Sequence, residues 1–276
     1  MLANSYDIWI EENKQPTIAT LCKDLDQAIG KGISPGIITE LCGPPGSGKT
    51  QICIQLCANV QIPTQLGGFG GKALYFDTNF GFHPHRLKEM ATACTQHCRN
   101  IVETLRKDLS EDVEGFTAEI IMENVYYKYI SDSSSLIEEL DTLENLLKAG
   151  EKIKLVVVDS LSFLIKCNTE NSLERLEVDY TILTKLHVLA YRYKLAVVIT
   201  NDCTTRINPS NSTDSTVVPA LGECHSHKIN QRIVLGAINE EQPGIFIASI
   251  EKSLFRPRSS IKFRITEAGI RRVRKN

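Results

Sequence analysis

The residues Gly43, Pro44, Pro45, Gly46, Ser47, Gly48, Lys49 and Thr50 stand in the spacing G-x-x-x-x-G-K-[ST]. That spacing builds a loop whose backbone cradles nucleotide phosphates. Glycines let the chain curl until successive N–H groups point inward, an anion nest at a helix N-terminus. Lys49 then reaches the β- and γ-phosphates, and the Thr50 hydroxyl ligates Mg²⁺. Gln51, the next residue, belongs to the same cradle. The plainer alternative is a Gly/Pro-rich turn ahead of a helix. The flanks decide against it, since the apolar run 37–42 leads in as a strand and 51–60 leads out as a helix. A nucleotide with Mg²⁺ is expected.

A phosphate loop needs an acid on a neighbouring strand to hold the metal's shell. Asp159, closing the apolar run 155–158, is the candidate, with Thr50 as the second metal residue; the bland alternative is a cap on the following turn. Hydrolysis further requires a group that orients or deprotonates the attacking water. Ligands sit at the carboxyl ends of strands in such sheets, so Asp77, Thr78 and Asn79 should open beside the phosphates. Two clusters, Cys94/His97/Cys98 and Cys224/His225/His227, have metal-ligand character. Neither carries a second ligand pair at zinc-ribbon spacing, which favours core packing or loop polarity.

Strands and helices must bring these groups to one place. The runs 155–160 and 195–201 are β-branched and apolar on both faces, as in the middle of a parallel sheet covered by helices. Between them Leu173, Leu176, Tyr180, Leu183, Leu186, Ala190 and Tyr193 form one helical stripe. Further strands are expected at 17–22, 37–42, 72–77 and 124–130, and helices at 24–29, 50–59, 83–105 and 136–147. This alternation predicts a doubly wound α/β domain with a mostly parallel sheet. Residues 202–218 are rich in Asn, Ser and Thr and read as a mobile loop. The runs 229–235, 245–250 and 260–265 follow without helices and read as an antiparallel C-terminal extension of the sheet. The expected organisation is a loosely ordered lead at 1–16, one domain at 17–265 and an exposed basic tail at 266–276.

The chain has 276 residues, a net charge of −2 and nine cysteines. Such a balance makes no electrostatic magnet, so any nucleic-acid site must be a local patch. The cysteines lie inside apolar runs, as reduced thiols of an intracellular protein do. No run of eighteen apolar residues exists, so no transmembrane helix is expected. The first twelve residues lack the pattern of a secretory signal.

The motifs resemble the ATPase core of RecA-type DNA recombinases, and within that family the eukaryotic DNA-repair paralogues of the C branch. The resemblance runs over 17–265. It rests on the phosphate loop with its flanks (39–51), Val60-Gln-Ile-Pro63 with the Gly-Gly that follows, Tyr75-Phe-Asp-Thr78, Ala91-Thr-Ala-Cys94 with Gln96-His97, the strands 155–159 and 195–201, and Val218-Pro-Ala-Leu-Gly-Glu223. It implies homologous recombination and double-strand-break repair, mitotic or meiotic, in the nucleus. It also implies assembly with sister paralogues, and with the main recombinase, as a hetero-oligomer on single-stranded DNA with no membrane. By position it places Arg86 against the adenine and Lys252 at a neighbouring subunit's nucleotide. It assigns DNA loops to about 166–175 and 203–217, with Lys166, Arg175 and Arg206 as contacts. Arg271, Arg272, Arg274 and Lys275 would form a nuclear signal; the alternative is a solvated charge run.

Three positions depart from the family pattern. Asn79 stands where the family's Thr-Glu pair has its catalytic Glu, and an amide cannot take a proton from water. Asp202 stands where the family's phosphate sensor is commonly Gln, which puts a carboxylate near a γ-phosphate. Leu254 replaces the usual Pro after Lys252-Ser253. The small helical N-terminal domain of many relatives is expected to be missing, as is the usual Phe-x-x-Ala docking segment, with Trp9-Ile10 as a substitute. The resulting expectation is an ATP binder with slow or absent hydrolysis, with catalytic roles resting on Lys49, Asn79 and Asp159. The alternatives are a non-hydrolysing adaptor and a P-loop kinase.

Overall fold

The computed structural model describes residues 4–109, 113–168, 171–208, 211–238 and 244–273. Its parallel strands are β1 (Ile38–Gly43), β2 (Lys72–Asp77), β3 (Val125–Tyr129), β4 (Ile153–Asp159), β5 (Ala196–Asn208) and β7 (Gln231–Ala237). A hairpin partner, β6 (Asn211–Pro219), and a meander, β8 (Ile245–Lys252), β9 (Ser259–Thr266) and β10 (Gly269–Arg272), complete the described strands. The sheet order is β10-β9-β8-β7-β1-β5-β4-β2-β3, with β6 paired to β5 alone. Every pairing from β7 through β3 is parallel, and those among β7, β8, β9 and β10 are antiparallel.

Alternation along the central strands feeds two cores. Leu155, Val157, Ala196 and Val198 pack on one face against Ile52, Leu56, Leu87 and Met90. Val156, Val158, Val197 and Ile199 pack on the other against Leu136, Leu140, Leu183 and Leu186. Burying each such side chain is worth about 1.5–3 kcal/mol. The first layer is α2 (Lys23–Ile29), α3 (Lys49–Asn59) and α4 (Pro84–Leu105); the second includes α6 (Ser133–Lys148), α7 (Leu161–Asn168) and α8 (Ser172–Tyr193). Two shorter helices, α5 (Ala118–Glu123) and α9 (Gly222–Lys228), join strands. Among the described residues no helix is long and apolar enough to cross a membrane.

Helix α3 carries an uncommon set of buried polar anchors. Gln55 Nε2 donates to Thr20 O at 2.6 Å, and Gln55 Oε1 accepts from Ile270 N at 2.5 Å. Asn59 Nδ2 donates to Ala19 O at 2.7 Å. The helix behind the phosphate loop is thus tied to an early segment and to β10.

Six expectations are corrected. Residues 5–14 form a helix, α1 (Ser5–Lys14), because they lack Gly and Pro and because Asn4 Oδ1 accepts from Asp7 N at 2.9 Å as a cap. Residues 17–22 make one antiparallel bridge, Ile18 to Ile33, and no strand. Residues 203–208 and 211–218 are paired strands of β5 and β6, with Thr204 opposite Val218 and Thr205 opposite Val217; β-branched residues outweigh the polarity. Strand β7 is parallel to β1 because α9 supplies a crossover. Residues 269–272 are strand β10, so the basic segment is partly folded: Ile270 is buried and Arg271 half-buried. Finally, Leu173, Leu176 and Tyr180 of the helical stripe are exposed. Helix α8 has 22 residues, about 33 Å, and packs on the 6-residue β1, about 20 Å, so one end of it runs past that strand.

Candidate nucleotide site

Strand β1 delivers Gly43 and helix α3 starts at Lys49, so the loop between them spans strand end to helix N-terminus. Gly46 and Gly48 hold φ of +77° and +94°, the left-handed region that L side chains rarely adopt. A Cβ on Gly43 would lie 2.5 Å from Leu235 O, and one on Gly48 would lie 2.8 Å from Ile265 Cδ1. Ser47 Oγ is buried without a partner. A glycine-lined cradle with an orphaned hydroxyl and a helix N-terminus fits a phosphate. Lys49 is buried, and its Nζ donates to Gly43 O at 2.8 Å and Pro44 O at 3.2 Å and pairs with Asp202 Oδ1 at 3.0 Å.

Asp159 ends β4 opposite Asp77 of β2. Its carboxylate accepts from Thr50 Oγ1 at 2.7 Å, Tyr75 OH at 2.6 Å and Thr200 Oγ1 at 2.6 Å. Burial and then the Asp159 charge push the Tyr75 phenol well up, so it stays a donor. Thr50 and Asp159 are therefore adjacent hard-oxygen groups beside the cradle, which suits Mg²⁺. Asp77 faces inward and accepts from the N–H groups of Asn79, Gly81 and Phe82, fixing the turn after β2. Asn79 itself is exposed, with Oδ1 accepting from Gly81 N at 3.1 Å. A Cβ built on Gly81 would lie 2.9 Å from Asn79 Oδ1 and 3.7 Å from Thr50 Oγ1, so the turn lies against Thr50. Thr78 faces away and pairs with the backbone of Ser160.

Sequence reasoning missed a buried charge chain behind the loop. Glu40 of β1 accepts from Asn201 Nδ2 at 2.7 Å and from Arg232 Nε, and meets His225 Nε2 at 3.1 Å. His225 Nδ1 meets Asp179 at 2.8 Å. Burial pulls the His225 imidazolium down, but Asp179 and then Glu40 more than reverse this and hold it at about 9. Burial alone raises Glu40, whereas His225 and Arg232 lower it further, so Glu40 stays ionised. One signal was available: a Glu in the middle of an otherwise apolar strand needs a partner. The sign of the pH effect follows. A folded pKa above the unfolded value of about 6.5 stabilises fully below that value and is lost as pH rises through 9. The denaturant midpoint is expected to fall between pH 7 and pH 10 and to fall less in His225→Gln; equal slopes would refute the link.

The other expected residues lie as follows. Arg86 donates to Gln51 Oε1 at 2.7 Å, Glu89 Oε2 at 2.5 Å, Glu267 O at 2.8 Å and Thr266 O at 2.5 Å, bracing α4 against α3 and the β9–β10 turn. Lys252, at the end of β8, donates to Ser226 O at 3.0 Å and lines one cavity with Pro44 of the loop. The expected loop at 166–175 is largely helical: Lys166 is exposed on α7 and Arg175 sits in the first turn of α8. Arg206 belongs to β5. Arg271 is half-buried, Arg272 is exposed, and Arg274 and Lys275 lie outside the described residues. Cys94 and Cys98 face one another in the core of α4, and His225 is engaged by carboxylates.

A model of the Rad51 family matches residues 13–273. The chain belongs to the Rad51 family. It is 34% identical over 262 residues to DNA repair protein RAD51 homolog 3 of Cricetulus griseus, covering 95% of this chain and 70% of that protein. It is also 34% identical over 257 residues to DNA repair protein RAD51 homolog 3 of Dictyostelium discoideum (93% and 65%). The archaeal DNA repair and recombination protein RadA of Aeropyrum pernix is 33% identical over 270 residues (97% and 76%). The chain spans about two thirds to three quarters of these relatives. As a Rad51-family ATPase domain it carries a mostly parallel sheet with antiparallel C-terminal strands, as expected from its motifs. Membership replaces the kinase alternative. In this Rad51-family site the loop 43–50 would hold the phosphates, and Thr50 with Asp159 would hold Mg²⁺.

Proposed function

We propose that this chain is an ATP-binding recombinase paralogue that acts in homologous recombination and DNA double-strand-break repair, mitotic or meiotic, in the nucleus. It works in a hetero-oligomer with sister paralogues on single-stranded DNA, and nucleotide binding stabilises a subunit interface more than turnover drives a cycle. Bound ATP with Mg²⁺ would supply a hydrolysable phosphoanhydride. The chain's own part is to orient phosphates with the 43–50 backbone, fix the metal through Thr50 and Asp159, and position water with Asn79. The observation that carries the reading is Asn79, an exposed amide in the turn that lies beside Thr50 through Gly81, where a base is required. An amide holds a water by hydrogen bonding and takes no proton from it.

DNA contact falls to Lys166, Arg175 and Arg206, and docking to α1, where Trp9 stacks on Tyr6 at 5.9 Å. Arg86 would lie at the base and Lys252 at a neighbour's nucleotide. Arg272, Arg274 and Lys275 carry the nuclear-signal reading, with Arg271 committed to the sheet edge. The test is ATP turnover with and without single-stranded DNA. Wild type is expected to match the Lys49→Ala background, and Asn79→Glu to gain turnover by about 10²-fold, the scale of general-base catalysis. Robust DNA-stimulated turnover in wild type, lost in Lys49→Ala, would overturn the slow-hydrolysis reading.

A further inference from the structure

The ammonium of Lys49 has three N–H donors, and three acceptors take them: Gly43 O, Pro44 O and Asp202 Oδ1. The two carbonyls belong to the loop; the carboxylate comes from β5. Asp202 is fixed on several sides. Its Oδ2 accepts from Ser160 Oγ at 3.2 Å and Ser162 Oγ at 3.1 Å. Its N–H donates to Ser162 Oγ at 2.8 Å, its C=O accepts from Ala220 N at 2.8 Å, and its backbone lies beside Gly43 in the sheet register. A side chain held this way is part of the wall, and it puts a negative charge 3.0 Å from the cation meant for phosphate.

We propose that Asp202 is a specificity-determining residue that makes this site favour a nucleoside diphosphate over the triphosphate, by neutralising Lys49 and opposing a third phosphate. The inference rests on the reading of 43–50 as a nucleotide site and deepens it. The inner phosphates are held chiefly by backbone N–H groups, whereas the outermost depends on the lysine. Adding the third phosphate brings roughly one more negative charge to the place nearest Asp202, and Coulomb repulsion there falls on the triphosphate more than on the diphosphate. Occupancy by the triphosphate then depends on a compensating cation: Mg²⁺ on Thr50 and Asp159, or a basic side chain from a second molecule.

The test is calorimetric Kd measurement for ADP and for ATP, each with Mg²⁺, on the full chain. Wild type is expected to bind ADP more tightly than ATP. Asp202→Asn, which removes the charge and keeps the shape, is expected to shift the ratio of the two Kd values towards ATP by about tenfold. Asp202→Glu, which keeps the charge, is expected to hold the wild-type preference. Should Asp202→Asn unfold, Asp202→Ser removes the same charge and must shift the ratio the same way. An unchanged ratio in the neutral variants, with both nucleotides still bound, overturns this inference and leaves the nucleotide site standing. If neither nucleotide binds wild type or the neutral variants, the nucleotide reading falls and takes this inference with it.

Discussion

Lys49→Ala is expected to weaken nucleotide binding by roughly a hundredfold, about 3 kcal/mol, the scale for truncating one member of a buried charge pair. The loss has two parts. The variant removes the only cation that the phosphate loop itself supplies, and it leaves Asp202, until then paired at 3.0 Å, facing any incoming phosphate alone. Folding should survive, because Asp202 keeps its bonds to Ser160 and Ser162 and is partly open to water. Calorimetry or a fluorescent nucleotide reads the outcome, with thermal unfolding as the control. A variant that binds like wild type would remove the loop from the nucleotide site.

The largest effect on stability is expected at Glu40, a buried residue outside the phosphate loop. It is completely buried and serves Asn201, Arg232 and His225 at once. Glu40→Ala leaves a buried imidazolium with Asp179 as its one carboxylate and takes from the nearly buried Arg232 guanidinium the carboxylate it pairs with. Breaking such a pair costs about 3–5 kcal/mol, which for a domain of this size lowers Tm by roughly 10 °C. Glu40→Gln keeps the shape and two acceptor sites and should fall between. A Tm within a degree or two of wild type in Glu40→Ala would show that the chain of charges is idle.

The phosphate cradle and its acid were legible because their information is local or periodic. The loop is contiguous from Gly43 to Thr50, and Asp159 closes a strand whose β-branched run marks it as central. The charge chain was not legible for the opposite reason. His225 and Glu40 are 185 residues apart, His225 and Asp179 are 46 apart, and no motif joins the three. Arg271 misled because a row of basic residues reads as a tail, while a single apolar neighbour, Ile270, was enough to pull the segment into the sheet. Residues 203–208 and 211–218 read as a loop by composition, yet their Thr, Ile and Val are β-branched and pair as strands. Leu173, Leu176 and Tyr180 satisfy the periodicity of a buried face, yet periodicity cannot say where the sheet beneath a helix ends.

The anchoring of α3 has a consequence for thermodynamic linkage. Gln55 and Asn59 make this helix a common abutment for residues 19–20 and for β10, while its first turn holds Lys49 and Thr50. Two stretches some 250 residues apart in sequence therefore bear on one helix, and a ligand that steadies its N-terminus steadies both. The converse holds with equal free energy. A protein that grips β10, or that displaces the segment at residue 20, alters nucleotide affinity without approaching the phosphates. Nucleotide affinity then becomes a property of what is bound at β10 and at residues 19–20.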